Sequence, residues 1–324
     1  CIRGEFFLES FAPFSDFAET IRYHHTRWNE LPDDLDPSAK LYTNLIFLAD
    51  RLDVAYVEFR DSNPAHMTLL NKQKIIDRLK CYKETLFSNQ LFDALEAAAQ
   101  KDSFWLELQD EYLDDVIFET LSSLDYTLRL GFDEIEALGE LISQIVDAKS
   151  PFTHYHSLRV ADLTYTLSGI MGYDHYHRRI LRLAGLLHDV GKQRTPDEVL
   201  EKPGALTQEE QAKMRYHPLD SKHVLQALFP NTPIAKWASE HHEKLDGSGY
   251  PFGWTAEKID EPTRILTLCD IFQALCQKRP YRGRLHVDDV LNIMDKMAAA
   301  GQVDSSIYHL IKANRDELYQ IATR

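Results

Sequence analysis

Residues 178–192 read RRILRLAGLLHDVGK, and this stretch decides the fold class. Leu181, Leu183, Ala184, Leu186 and Leu187 crowd the positions ahead of His188 and Asp189, so an imidazole and a carboxylate arrive at the end of an apolar helical run. Gly191 then offers a helix stop, and Lys192 follows. A second carboxylate, Asp270, stands among Ile265, Leu266, Leu268, Cys269, Ile271, Phe272, Ala274 and Leu275. A buried lone charge costs many kcal/mol, so each acid must meet a cation, a strong hydrogen-bond donor or a metal.

Helical periodicity extends outward from these two runs. Ile135, Leu138, Leu141, Ile142 and Ile145 recur at three- and four-residue spacings, as do Phe87, Leu91, Leu95 and Ala98. Leu106, Leu113, Ile117, Leu121 and Leu124 do the same. Strand-like alternation is nearest at 54–59 and is short, while 202–204 (KPG) and 246–253 punctuate the helices as turns. An all-α chain is expected.

The 324 residues suffice for about two domains on the usual length prior. Hydrophobic residues make up 44% and aromatics 11%, enough for a packed core. A net charge of −15 argues against a polymeric nucleic-acid partner, which needs a basic face. It leaves room for a small anionic substrate. Apolar runs such as 45–49 fall far short of the roughly 20 residues of a membrane span, and Glu5 and Glu9 interrupt any signal-like start. Cys1, Cys81, Cys269 and Cys276 form no C-x-x-C pair and read as reduced thiols of a cytoplasmic protein. Cys1 stands where Met would, so the chain reads as a piece of a longer gene product.

An internal echo sets the domain organisation. IRYHHTRW (21–28) is followed about 25 residues later by LIFLADRLDVAY (45–56). WASEHHEK (237–244) is followed by RILTLCDIFQAL (264–275), with Asp270 28 residues after His242. This order suggests a duplication: a degenerate, partial first copy over 1–105, a connecting helix over 106–134, and a catalytic domain over 135–324. His24, His25 and Asp50 in the first copy are too few to make a metal site, which points to a structural or regulatory role.

In the second copy the available ligands are His156, His188, Asp189, His217, His241, His242 and Asp270. Five imidazoles and two carboxylates exceed what one ion can use beside a water, and suit two octahedral divalent ions. Asp189 is the expected bridging ligand. Ligation by His and Asp without thiolate favours iron or manganese ahead of Ni, Mg or Zn.

Several linked motifs carry a family resemblance: PFTHYHSLRVADL (151–163), LLHDVGK (186–192), KPGALT (202–207), His217-Pro218, HHEKLDGSGYP (241–251) and CDIFQALCQKRPYR (269–282). They resemble the HD-GYP family of the HD superfamily of metal-dependent phosphohydrolases. The resemblance implies an all-α bundle that hydrolyses cyclic dinucleotides, above all cyclic di-GMP, with two or three metal ions. The family's ligand positions fall on the seven residues named above. Phe152 stands where some members carry a third-metal Glu, so two ions are expected. Gln273 and Lys278 replace usual aspartates and Ala205 a usual lysine, which opens the substrate choice to 3′,3′-cyclic GMP-AMP.

The expected enzyme is thus a phosphodiesterase that linearises a cyclic dinucleotide with a metal-activated hydroxide. Asp189 and Lys192 are the expected catalytic residues, and Lys192, Arg279 and Arg282 the expected substrate ligands. The alternatives are an HD-superfamily nucleotidase or dNTP hydrolase, and a non-catalytic cyclic-dinucleotide sensor. A homodimer and signalling-protein partners are both compatible with this reading. Tyr250 is expected to organise its glycine loop.

Overall fold

A computed structural model describes residues 1–62, 68–124, 129–149, 155–277 and 283–324. The chain divides into two units, Cys1–Leu130 and Gly131–Arg324. Among the described residues both are helical, and β structure is limited to isolated bridges between Lys83 and Phe87 and between Asp246 and Thr255. The all-α expectation is met.

Unit 1 contains α1 (Ile2–Glu9), α2 (Ala18–Tyr23), α3 (Pro37–Ser62), α4 (Thr68–Lys80), α5 (Asn89–Ala98), α6 (Asp102–Leu106) and α7 (Asp110–Ser123). Its core joins Phe47, Leu48 and Leu52 of α3 to Ile75 and Ile76 of α4 and Phe92 of α5. Asn44 ties this core to the 81–88 turn, donating to the Leu86 carbonyl (2.8 Å) and accepting from the Ser88 N–H (2.9 Å). The alternating stretch 54–59 lies inside α3, where the flanking helical period overrides so short a signal.

In place of a single connecting helix over 106–134, the chain leaves the helix after Ser123 and starts a new one at Phe132. The restart has a local cause, since the Glu134 carboxylate takes the Gly131 N–H at 2.6 Å. The stripe Leu106, Leu113, Ile117, Leu121 and Leu124 is exposed and not part of the unit 1 core.

Unit 2 contains α8 (Phe132–Ala148), α9 (His156–Ile170), α10 (His175–Leu187), α11 (Asp197–Leu200), α12 (Gln208–Met214), α13 (His217–Leu228), α14 (Ile234–Glu240), α15 (Glu261–Cys276), α16 (Val287–Ala299), α17 (Ser305–Ala313) and α18 (Arg315–Thr323). Leu163 and Leu167 of α9, Leu181 and Leu183 of α10 and Phe272 of α15 are buried together, each worth about 2 kcal/mol of transfer free energy. Asp174 caps α10 by accepting from the His177 N–H (2.9 Å), and Asp260 caps α15 from Thr263 (3.0 Å). These caps fix where α10 and α15 begin, while His188 follows the far end of α10 and Asp270 lies within α15.

Candidate metal centre

His188 and Asp189 leave the C-terminal end of α10, and a short 3-10 turn, Val190–Arg194, begins directly after them. That turn approaches α13 so closely that a Cβ on Gly191 would lie 2.1 Å from the His217 carbonyl oxygen. The Gly191 N–H donates to the Ser221 hydroxyl (2.9 Å), and Ser221 donates to the His188 carbonyl (2.8 Å). The glycine therefore lets the α10 end and the α13 start meet.

His188, His217 and His241 share one device. Each donates from Nδ1 to the carbonyl three residues earlier: Gly185 at 2.7 Å, Met214 at 2.7 Å and Ala238 at 2.5 Å. A carbonyl can only accept, so in the neutral rings these bonds place the proton on Nδ1 and leave Nε2 with its lone pair, the form a metal ligand needs. His156 is held differently: Nδ1 lies 2.6 Å from Oε1 of Gln273, a fully buried residue on α15.

The free ring nitrogens converge on the two acids. His156 Nε2 lies 3.3 Å from Asp270 Oδ1 and 3.6 Å from Asp189 Oδ2, and His188 Nε2 lies 3.3 Å from Asp189 Oδ2. His188 Nε2 is 3.9 Å from Asp270 Oδ1. On the other side, His217 Nε2 and His241 Nε2 lie 3.4 Å and 3.9 Å from Asp189 Oδ1. His242 Nδ1 is 3.8 Å from Asp270 Oδ2. All seven sequence-identified ligand candidates thus gather in one cluster, with Asp189 facing both groups of histidines.

Whether this cluster suits a cation is decided by its unsatisfied atoms. Asp189 Oδ1, His217 Nε2 and His241 Nε2 are buried without a hydrogen-bond partner. Buried polar atoms are nearly always paired, and three acceptors facing one another repel. A cation satisfies them together, and the donor set fits divalent metal ions. Ligand atoms come within 4.8 Å of one another in three groups: His156, His188 and Asp270; His188, Asp189 and His241; His217, His241 and His242. Cys1, His24 and His25 of unit 1 form another such group in a more exposed setting.

The electrostatics point the same way. Burial disfavours charge on His188, yet the charges of Asp189 and Asp270 outweigh it and raise the imidazole to about 9. Burial lowers His217 to about 3, and burial together with the neighbouring His188 lowers His241 to about 4. Burial opposes charge on Asp189 too, but His188 and Lys192 hold it well below the usual carboxylate range. The carboxylates remain ionised and draw positive charge to the centre, while most of the rings are kept as neutral donors.

Lys192 rests on Asp189, its ammonium bonded to Oδ2. Beside the cluster lies a cleft of about 230 Å³ bordered by His241, His242, Tyr250 and Arg215. The Tyr250 ring packs 4.7 Å from the His242 ring, and the Arg215 guanidinium lies 4.8 Å from the centre of the Tyr250 ring. The loop carrying Tyr250 is anchored by Glu243, which accepts from the Phe252 N–H (2.7 Å) and the Trp254 N–H (2.9 Å). Arg279, Arg282 and Phe152 lie outside the described residues. Sequence reasoning missed Gln273 as the partner of His156 and Arg215 as a wall of the cleft. Gln273 carried a signal, a buried amide in an apolar helix, whereas Arg215 carried none.

The site and its helical frame define a class of protein. The chain belongs to the HD domain family, within its HD-GYP group; the HD domain profile matches residues 140–307. It is 35% identical to 3′3′-cGAMP-specific phosphodiesterase 1 of Vibrio cholerae over 323 residues, 99% of this chain and 75% of that protein. It is 41% identical to 3′3′-cGAMP-specific phosphodiesterase 3 of the same organism over 162 residues, 50% of this chain and 35% of that protein. A crystal structure of a cyclic GMP-AMP-specific phosphodiesterase from V. cholerae superposes with a TM-score of 0.59 at 26% identity, covering 98% of this chain and 71% of that one. Among the described residues no helix is long and apolar enough to cross a membrane.

Proposed function

We propose that this chain is a metal-dependent phosphodiesterase that opens a cyclic dinucleotide, with 3′,3′-cyclic GMP-AMP ahead of cyclic di-GMP. The observation that carries the reading is the set of orphaned buried atoms, Asp189 Oδ1, His217 Nε2 and His241 Nε2, inside a cage of seven ligating side chains. The substrate preference rests on the names of the two V. cholerae relatives.

His156, His188, Asp189, His217, His241, His242 and Asp270 would hold two divalent ions, iron or manganese, and Asp189, which faces both groups of histidines, would serve both. Such ions acidify bound water and neutralise charge developing on a phosphoryl group. The protein's own groups do the remaining work. Backbone carbonyls fix the tautomers of His188, His217 and His241, and Gln273 fixes His156. Lys192, beside Asp189, holds a positive charge at the edge of the cage where a phosphate oxygen can reach it. Tyr250 and Arg215 form one wall of the substrate cleft, and Arg279 and Arg282 grip the second phosphate or a base. The setting is the cytoplasm of a bacterium.

Residues 1–105, within unit 1, are a degenerate, partial first copy of the same domain. In support, His24 and His25 follow α2 as His241 and His242 follow α14, with ring centroids 4.0 Å and 3.9 Å apart respectively. His24 Nδ1 meets the Ile21 carbonyl at 2.5 Å, repeating the three-residue bond of His241. His25 lies 3.9 Å from Asp50, against 3.8 Å between His242 and Asp270. Asp50, however, is held by the Arg51 guanidinium at 2.6 Å.

The test loads purified protein with Fe²⁺ or Mn²⁺ and follows the linearisation of both cyclic dinucleotides by chromatography. Turnover is expected, together with loss of both metal and turnover in Asp189→Asn. Inertness with either metal on either substrate, or an Asp189→Asn variant with full metal content, would refute the assignment.

A further inference from the structure

Unit 1 holds a cavity of about 380 Å³ between α3, α4 and the turns beside them. Arg27, Arg51 and Arg78 all line it, in a chain whose net charge is −15. Arg78 uses one terminal nitrogen on Glu58 (2.6 Å), which also lines the cavity. Arg51 uses Nε and one terminal nitrogen on a single oxygen of Asp50 (2.9 and 2.6 Å), outside the lining. Arg27 reaches Glu30 only at 3.7 Å, and both side chains are more than half exposed, so that pair is weak. Each guanidinium therefore keeps donors for a ligand, although Glu58, Asp50 and Glu30 supply one carboxylate for each of the three cations.

The rest of the lining is apolar and aromatic. Leu79 and Phe87 are buried at 5% and 0% exposure, while Tyr82 lines the cavity and stays 45% exposed. The unused guanidinium N–H groups suit a phosphate monoester, which carries roughly −1.5 to −2 near neutral pH. Guanidinium groups bind its oxygens in pairs, and an exposed tyrosine offers a face to a planar base. The volume lies at the small end of the ~300–1,000 Å³ typical of small-molecule sites, suiting one nucleotide better than two.

We propose that this cavity is a binding site for a nucleoside monophosphate, separate from the centre in unit 2. The proposal does not depend on the function assigned to that centre. Arg27, Arg51 and Arg78 hold the phosphate, and Tyr82 receives the base.

The test is calorimetric titration of the full chain with GMP, AMP, guanosine and inorganic pyrophosphate. The same titrations are run on Arg27→Gln/Arg78→Gln, so that any binding in unit 2 is common to both proteins. GMP or AMP is expected to bind saturably, and the double variant to bind it more weakly by about tenfold or more. Tyr82→Ala, a change at an exposed side chain, is expected to weaken the nucleotide and leave pyrophosphate unchanged. Equal titration of wild type and double variant would overturn the proposal. So would guanosine or pyrophosphate binding as tightly as the nucleotides, or a Tyr82→Ala variant indistinguishable from wild type.

Discussion

Replacing Gln273 with leucine removes the acceptor of His156 while keeping a side chain of similar size. The bond is short, 2.6 Å, and both partners are buried. Its loss leaves an imidazole N–H without a partner in a dry environment, a cost of about 1–3 kcal/mol. That cost is relieved when the ring turns, which carries Nε2 away from Asp270 and Asp189, or when its proton shifts to Nε2, which occupies the lone pair a metal needs. A second route gives the same size of effect: losing the partner that orients a ligating histidine lowers metal affinity by about 10–100-fold. At about 1.4 kcal/mol per decade, the two figures agree. The second contact of Gln273, to the Ala322 carbonyl at 3.5 Å, is too long to add much. Gln273→Glu retains an acceptor and is expected to recover most of the affinity. The assay is competition for Mn²⁺ against a chromophoric chelator, with thermal unfolding as the control for folding. A well-folded Gln273→Leu protein that binds metal as tightly as wild type would refute the reasoning.

Two further predictions concern the frame. Gly191→Ala would set a methyl group 2.1 Å from the His217 carbonyl oxygen, where the opposing atoms are backbone and cannot turn aside. A loss of about 3 kcal/mol of unit 2 stability is expected by urea unfolding, and a change within ±0.5 kcal/mol would contradict the close approach. Asp304 caps α17 by accepting from the Ser306 and Ile307 N–H groups (3.0 and 3.2 Å) and pairs with Arg264 (2.9 Å). Burial works against its charge, but the Ser306 hydroxyl, Arg264 and the two N–H groups outweigh burial and hold it below the usual range. A depressed carboxylate stabilises the fold above its unfolded value, near 4, and that contribution fades as the pH falls through the lower folded value. Asp304→Asn should therefore be less stable than wild type by about 1 kcal/mol near neutral pH, with the gap narrowing below about pH 4. A gap constant from pH 6 to pH 3 in thermal melts would show that the charge is not responsible.

How far the sequence could be read depended on contrast with its surroundings. Asp189 and Asp270 stood out because they stand against apolar helical runs, and His188 because it ends one. All seven ligands meet in one cluster although residues from 156 to 270 supply them. Gln273 was visible as a departure from a family pattern and as an amide in an apolar helix, but nothing local tells that it faces a ring 117 residues away. Lys192 was expected to meet substrate, and its three-residue return to Asp189 follows from the tight turn that Gly191 allows. The stripe from Leu106 to Leu124 shows the opposite limit: its spacing announces an amphipathic helix but not whether anything in its own unit covers it, and it is exposed.

The carbonyl tethers of His188, His217 and His241 make metal readiness a property of individual coil ends. Each ring takes its proton arrangement from one closing loop of backbone, so fraying of that loop frees a carbonyl and swings a lone pair outward in the same motion. Because the tethers belong to separate segments, one arm of the cage can come loose while the others stay seated. The grip on a cation can then tighten or slacken by single donors without the bundle itself opening.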